Sequence, residues 1–368
     1  MIALLGVIYF AAGKPMEIAD RVMVHAIGID ETDGGYKVTM QIFSPSGGGS
    51  ETAIDPSQPN VSLITGRGGS VSEAVHDCEK KLGGHAFIGQ NRIILFGRNT
   101  DLSRTKELFG YFLSSSEAYL STDCAAAEGT AEKLLTQPIP SSGISSEKFV
   151  MMIDSECKRG CSVRCSLMQL MEDMQSEEQC AVMPLFSVQQ RKNSGKNSSG
   201  GDGQPPEKLA PETEVTLGSA AVFRRGRFLR KITGENAGMI GMINGSGSSV
   251  FTETVHSGRK LGKTYRVGHR SVSALREDDK LIIRIVCATE PLDEQYFPDS
   301  RERAGFNEAA REKLTREANA LARELCSEGL HELLGAGAAL RRYFPDLLRK
   351  SPSAGVLCDR MSYEITVR

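Results

Sequence analysis

Four groups of residues have types and spacings that could do chemistry. His331-Glu332-Leu333-Leu334 opens like a zinc-protease motif, in which two histidines four apart face one metal and the glutamate serves as base. Position 335 is Gly, which cannot ligate, so the motif fails and His331 reads as a partly exposed histidine at a helix start. Cys157, Cys161 and Cys165 recur at intervals of four, with Cys180 a conceivable fourth thiolate for zinc or an iron–sulfur cluster. On one helix the three would share a face, but Gly160 interrupts the first pair and the paired Cys-x-x-Cys spacing is missing. They read as a sulfur-rich apolar face.

Gly66-Arg67-Gly68-Gly69-Ser70 lies between a strand-like and a helix-like run and could offer backbone N–H groups to an anion. It has neither the lysine of a phosphate-binding loop nor the spacing of a dinucleotide fingerprint, so it reads as a strand-to-helix turn. His76 and His85 bracket Cys78 without a further group that would give them a role. No Gly-x-Ser-x-Gly elbow occurs. None of these sets supports an enzyme. No catalytic, cofactor-binding or metal-ligating residue is assigned, and no cofactor is expected.

The elements that would position such groups follow from periodicity. The largest runs from Leu281 to Pro345. A strand, Leu281 to Cys287, precedes a long helix whose apolar positions Phe306, Ala310, Leu314, Ala318, Leu321 and Leu325 recur every three or four residues. Glu308, Arg311, Glu312, Arg316 and Glu324 occupy the other side, with Glu312 and Arg316 placed for i,i+4 support. Gly329 reads as the stop. A second helical unit, Leu330 to Leu348, is broken by Gly335 and Gly337 and punctuated by Pro345. The apolar stripe needs a sheet, and the preceding strands supply one.

Earlier in the chain, Arg21–Asp30 and Tyr36–Phe43 read as strands joined by a Gly34-Gly35 turn, followed by a third strand, Val61–Thr65. Val71, Val75, Cys78 and Leu82 share a helix face; Asn91–Phe96 is another strand and Leu108–Leu113 lies on a further helix. Ser145 to about Met174 reads as mostly helical. Residues 191–211 are rich in Ser, Gly, Asn, Lys and Pro, and strand-like runs flank them at Ala181–Val188 and Val215–Phe223. Neighbouring strands can bracket such a segment, so it is expected to be a long hairpin loop rather than a linker. Phe228–Ile232 follows an Arg225-Gly226 turn. Val250–Val255, Lys263–Ala274 and Lys280–Thr289 read as an antiparallel meander, and Met361–Val367 as a last strand closing that sheet. The expected class is α+β, with three mixed α/β domains in an elongated arrangement and the C-terminal one an antiparallel sheet packed by the long helix. The divisions are a segment 1–18, then 19–135, 136–245 and 246–368.

The chain has 368 residues, a net charge of -2 and no Trp, which argues against nucleic acid as a partner and against a base-stacking platform. Nine cysteines are scattered through a chain too large to need stapling, and most read as small buried hydrophobes. Ile2–Gly13 is a continuous apolar run ending in Ala11-Ala12-Gly13 and followed by Lys14-Pro15. It is too short to span a bilayer alone and fits a signal or anchor segment, so export or anchoring is expected.

Taken in order, these residues resemble the Ger(x)C family, the C-subunit lipoproteins of bacterial spore nutrient-germinant receptors. Glu17-Ile18, Ala26-Ile27-Gly28-Ile29-Asp30, Tyr36 with Val38, and Gln41-Ile42 with Pro45 resemble the opening strands. Gly69 with Glu73-Ala74-Val75, Phe87-Ile88-Gly89, Ser116-Glu117 and Gly129-Thr130-Ala131-Glu132 follow in register. Ala221-Val222-Phe223 with Gly226–Thr233 and Glu235, then Gly335-Ala336-Gly337 and Arg342-Tyr343-Phe344-Pro345, complete the match. The resemblance implies a three-domain α+β protein without enzymatic activity, on the outer face of the spore inner membrane beside two membrane-spanning subunits. It departs from the family at two points. Lys14 stands where the family has the lipidated Cys, so no lipid-attachment residue is assigned; anchoring would fall to residues 2–13 or to an altered lipobox. Gln90 stands where the family usually has His. The rival to a receptor subunit is an exported protein that itself binds a small nutrient, which would need a deep apolar pocket with a few converging polar groups.

Overall fold

The computed structural model describes residues 21–43, 61–137, 145–190, 213–292, 299–351 and 354–368. The apolar run 2–13, Lys14 and the loop 191–211 lie outside the described residues. One nine-stranded sheet is built from β1 (Arg21–Thr32), β2 (Gly35–Phe43), β3 (Val61–Gly68), β4 (His85–Phe87), β5 (Ile93–Gly97), β6 (Asp123–Ala127), β7 (Ala181–Gln190), β8 (Thr213–Arg224) and β9 (Arg227–Thr233). Its order is β3-β2-β1-β5-β6-β7-β8-β9, with β4 beside the start of β1. The central strands β1, β5, β6 and β7 are mutually parallel, and antiparallel hairpins flank them on both sides. The chain is thus α+β, with parallel and antiparallel pairing in one sheet.

Strands β5 and β6 are buried at every position, as strands covered on both faces must be. Helices α1 (Val71–Leu82), α2 (Thr105–Ser114) and α5 (Leu167–Gln175) cover one face, and α3 (Ala131–Leu135) and α4 (Ser145–Lys158) the other. The Cys-Ala-Ala-Ala of β6 keeps side-chain volume small where both helix layers approach. Asp30, at the end of β1, is buried and accepts the Ala131 and Glu132 N–H groups at 2.7 and 3.0 Å, which fixes the first turn of α3 on the sheet.

The sheet crosses the boundary expected near residue 136: β6 pairs with β7 through Ala126–Leu185 and Ala127–Phe186. The strands flanking the Ser/Gly-rich segment pair as antiparallel neighbours out to Gln190–Thr213, as the hairpin reading requires. Helix α6 (Gly234–Asn244) then leads to a second sheet, β10 (Ser249–His256), β11 (Arg259–Glu277), β12 (Lys280–Pro291) and β13 (Met361–Val367), in the order β10-β11-β12-β13. The first three form an antiparallel meander and β13 closes the sheet parallel to β12.

Helix α7 (Ser300–Ser327) lays the expected stripe on this sheet: Phe306, Ala310, Leu314, Ala318, Leu321 and Leu325 are all buried. Asp299 caps its start by accepting the Arg301 N–H at 2.9 Å. Asn319 accepts the Ile365 N–H and donates to its carbonyl, and Thr315 accepts the Val367 N–H, so α7 also covers the free edge of β13. Beyond Gly329 the chain forms a 3₁₀ turn, His331–Leu334, and then α8 (Ala336–Tyr343), α9 (Pro345–Lys350) and α10 (Ala354–Cys358). Gly335, at φ 82°, makes the break, whereas Gly337 lies inside α8 and breaks nothing. Pro345 opens α9. A single apolar core joins α6 and α7, the second sheet and the inward face of β8 and β9.

Candidate functional site

Because β1, β5 and β6 are parallel, their first residues gather on one edge of the large sheet. There Gln90, Asn91 and Arg92 lead into β5, and Tyr119, Ser121 and Thr122 lead into β6. With Val150 and Asp154 of α4 and Arg164 beyond it, they line a cleft of about 330 Å³. Arg164 holds the cleft together. Its Nε and Nη2 donate to the two Asp123 oxygens at 2.7 and 2.9 Å, and its Nη1 lies 2.8 Å from Asp154. Those bonds raise the Arg164 pKa against its partial burial and keep the guanidinium charged. Asp123 is buried, so the planar fork is what satisfies its charge. Asn91 is also buried, and its Oδ1 has no partner among the described residues. Gln90, singled out in the sequence, is exposed on the rim.

The same edge carries a second polar cluster. His85 of β4 lies 2.8 Å from Glu79 at the end of α1 and 3.3 Å from Glu117 in the loop before β6. Arg21, at the start of β1, lies 3.9 Å from Glu117. His85 therefore bridges two carboxylates. His76 is exposed and lies 3.7 Å from Glu79, while the Cys78 thiol is buried beneath them and burial raises its pKa to about 11.

The other sequence candidates are not assembled into sites. Helix α4 carries Cys157 but ends at Lys158 and Gly160 takes φ 73°, so Cys161 and Cys165 lie beyond the helix and the three do not share a face. Cys180 sits apart, near the start of β7, donating to Glu178. The stretch from Ser145 to Met174 is mostly helical, as expected, with a break: residues from Gly160 to Ser166 are turn and extended backbone, and Gly160 packs where a Cβ would strike the Val250 and Phe251 backbone. All nine cysteines are free, and burial raises the pKa of each thiol. Among the described residues no three His, Cys, Asp or Glu side chains are grouped to hold a metal ion.

In the glycine run, β3 continues through Gly68. The amides that could hold an anion are engaged internally: Gly69 N–H donates to Glu73 at 2.8 Å and Arg67 N–H to Asp77 at 3.0 Å. The glycines serve packing, since a Cβ on Gly66 would land on the Ala74 carbonyl oxygen of α1. His331 is a correction of another kind. It is buried rather than partly exposed, because Leu330, Leu333 and Leu334 drive the 3₁₀ turn into the core. Burial lowers its pKa, and its Nδ1 has no partner among the described residues. Glu332 accepts the Gly337 N–H at 3.1 Å and so ties the start of α8 to the turn before it.

Sequence reading missed a second acidic grouping, where α5 and β7 meet this turn. Burial raises the pKa of Asp173 to about 7, opposed by the Gln169 side-chain amide and reinforced by Glu332 and Glu172. Glu178 is raised for the same reason, with Glu332 again contributing and Arg224 opposing. No local pattern could have found either grouping. Asp123 and Arg164 are 41 positions apart, and Glu178 and Glu332 come from different sheets' surroundings.

Fold and edge together describe an α+β protein whose parallel strands open onto a polar cleft. Residues 14–188 match the family model for the spore germination protein N-terminal domain. The crystal structure of the GerBC protein shares the fold, with a TM-score of 0.50 at 16% identity, over 93% of this chain and 95% of that one. No curated protein matches the chain. Residues 14–188 thus carry the N-terminal domain of the spore germination proteins, in keeping with the resemblance of the sequence to the Ger(x)C family. It is not a known enzyme family. Among the described residues no helix is long and apolar enough to cross a membrane.

Proposed function

We propose that the chain is the extracytoplasmic C subunit of a spore germinant receptor, without catalytic activity, required for nutrient-triggered germination through contacts with two membrane-spanning subunits. It would sit on the outer face of the spore inner membrane, held there through the apolar run Ile2–Gly13 or through an altered lipobox at its end. The observation that carries this reading is the family match over residues 14–188. The cleft at Asn91 supports a role in contact rather than nutrient capture. Its lining is almost wholly polar or charged, with Tyr119 and Val150 the main apolar surfaces, whereas small-molecule sites are mostly apolar and enclosing. The three sequence divisions, 19–135, 136–245 and 246–368, are offered as its domains, the first two sharing one sheet.

Deletion of the gene in its sporulating host tests the proposal. Spores should lose the response to the nutrient while still germinating through a nutrient-independent trigger, and the tagged chain should bring down two membrane-spanning proteins from detergent-solubilised spore membranes. An unchanged nutrient response, in a strain with no second receptor of the same type, would remove the reading.

A further inference from the structure

The edge where the parallel strands begin is also the edge where the chain enters the large sheet, at Arg21. It carries an unusual share of exposed apolar surface. Met23, Leu113, Tyr119, Leu120, Met151 and Met168 lie there, half of the twelve large apolar side chains that are exposed among the described residues. Topology places each one. Met23 is in the first turn of the pleat of β1. Leu113 is near the end of α2, the crossover from the far end of β5 to the start of β6. Tyr119 and Leu120 precede β6, and the Met168 N–H donates to the Leu120 carbonyl at 2.9 Å. Met151 adjoins Val150, which lines the cleft on this edge. Tyr119 and Met151 are each 62% exposed, so these side chains are not the fringe of a core. Arg21, Arg92 and Arg164 stand among them.

We infer that this edge rests on the lipid bilayer, with Tyr119, Leu120 and Met168 entering the headgroup region. The inference deepens the membrane-associated reading above and rests on it. The point of attachment favours this edge over the others. Gly13, the end of the apolar run, is eight residues before Arg21, a span of at most about 28 Å when fully extended. A bilayer that holds the run is therefore never far from the amino edge. The opposite edge, where Gly97 and Ala127 end β5 and β6, is further from the tether by the length of the strands. A tyrosine beside leucine and methionine is the composition that settles at the interface, where the ring is apolar and its hydroxyl stays wet, while Arg21 and Arg164 are paired with Glu117, Asp123 and Asp154 and add no net charge.

The absence of Trp makes the test direct. The full chain is prepared as Tyr119→Trp and, separately, as Val255→Trp, which reports from an equally exposed site on β10 of the second sheet. Each is mixed with vesicles of phosphatidylcholine and phosphatidylglycerol, with and without brominated acyl chains, and floated on a density gradient. The expected result is a blue shift and strong bromolipid quenching for Tyr119→Trp, retained at high salt because the contact is apolar, with neither for Val255→Trp. Flotation without quenching at position 119 would overturn the inference by showing that the tether inserts while this edge meets something other than lipid. Equal quenching at both positions would overturn it too. Failure to float would overturn the tether and the inference with it, leaving the germination phenotype as a separate measurement.

Discussion

Replacing Asp173 by Asn should stabilise the protein at alkaline pH and leave it unchanged in acid. Asp173 lies at the junction between α5 and the turn before α8, facing Glu172 on its own helix and Glu332 across the junction, and it accepts the Gln169 side-chain amide at 2.8 Å. Burial and those two carboxylates raise its pKa from 3.8 to about 7. A carboxyl with a raised pKa in the fold holds more protons folded than unfolded across that interval. Its contribution to stability is therefore complete below about pH 4, declines as pH rises, and is exhausted above about pH 7. A rise from 3.8 to about 7 corresponds to roughly 4 kcal/mol. Asp173 retains some solvent contact, so screening reduces the expected difference to about 2 kcal/mol. Asn keeps the shape and the acceptor for Gln169 but carries no charge. Denaturant unfolding followed by circular dichroism at pH 4.5 and pH 8 reads the difference directly. Glu178 and Asp30, whose pKa values are also raised by burial, tilt both proteins' curves in the same direction, so variant minus wild type isolates position 173. A gain of equal size at the two pH values, or a loss at pH 8, would refute the reasoning.

Arg164→Ala should cost about 2–3 kcal/mol, because it leaves the buried Asp123 carboxylate without its fork; Arg164→Lys should recover only part, since a single ammonium cannot donate bidentately, and chemical denaturation checks both. Leu321→Asp should abolish folding of the second sheet with α7, at a cost of roughly 5 kcal/mol, by placing a charge in the stripe; a thermal melt identical to wild type would contradict the packing. Native protein at pH 8 should react slowly with iodoacetamide at all nine cysteines and rapidly after denaturation, because burial keeps every thiol protonated; fast labelling of any one in the native state, read by mass spectrometry, would show that its environment is wrongly described.

Much of the architecture was legible because it is written in short-range pattern. The β1–β2 hairpin, whose turn falls at Asp33-Gly34 one residue before the expected Gly34-Gly35, the α7 stripe from Phe306 to Leu325, and the strands at both sides of residues 191–211 each show in local pattern. Periods of two or of three and four report which side of an element meets the core. The resemblance to the Ger(x)C family rested on the order of many short segments, and the match over residues 14–188 is consistent with it. Periodicity does not say what lies opposite an apolar face. That β6 and β7 pair, making one sheet of what composition divides near residue 136, depends on two residue pairs about sixty positions apart. That Gly66 exists to let α1 approach, rather than to cradle an anion, depends on where the Ala74 carbonyl falls.

Chemistry was the least legible part, for the same physical reason. The sequence alone ruled out a zinc-protease motif at His331, because two ligands must share one helix face and Gly335 cannot ligate. It could not show that the histidine is buried, since burial came from neighbouring leucines finding a core formed by α6, α7 and two sheets. Nor could it find Arg164 on Asp123, or Glu332 beside Glu178, because a charge's environment is set by groups that are distant in the chain and adjacent only after folding. Residue type and spacing determined the elements and the class of protein; the tertiary structure decided which charges are buried, which glycines are packed, and which edge carries the exposed apolar side chains.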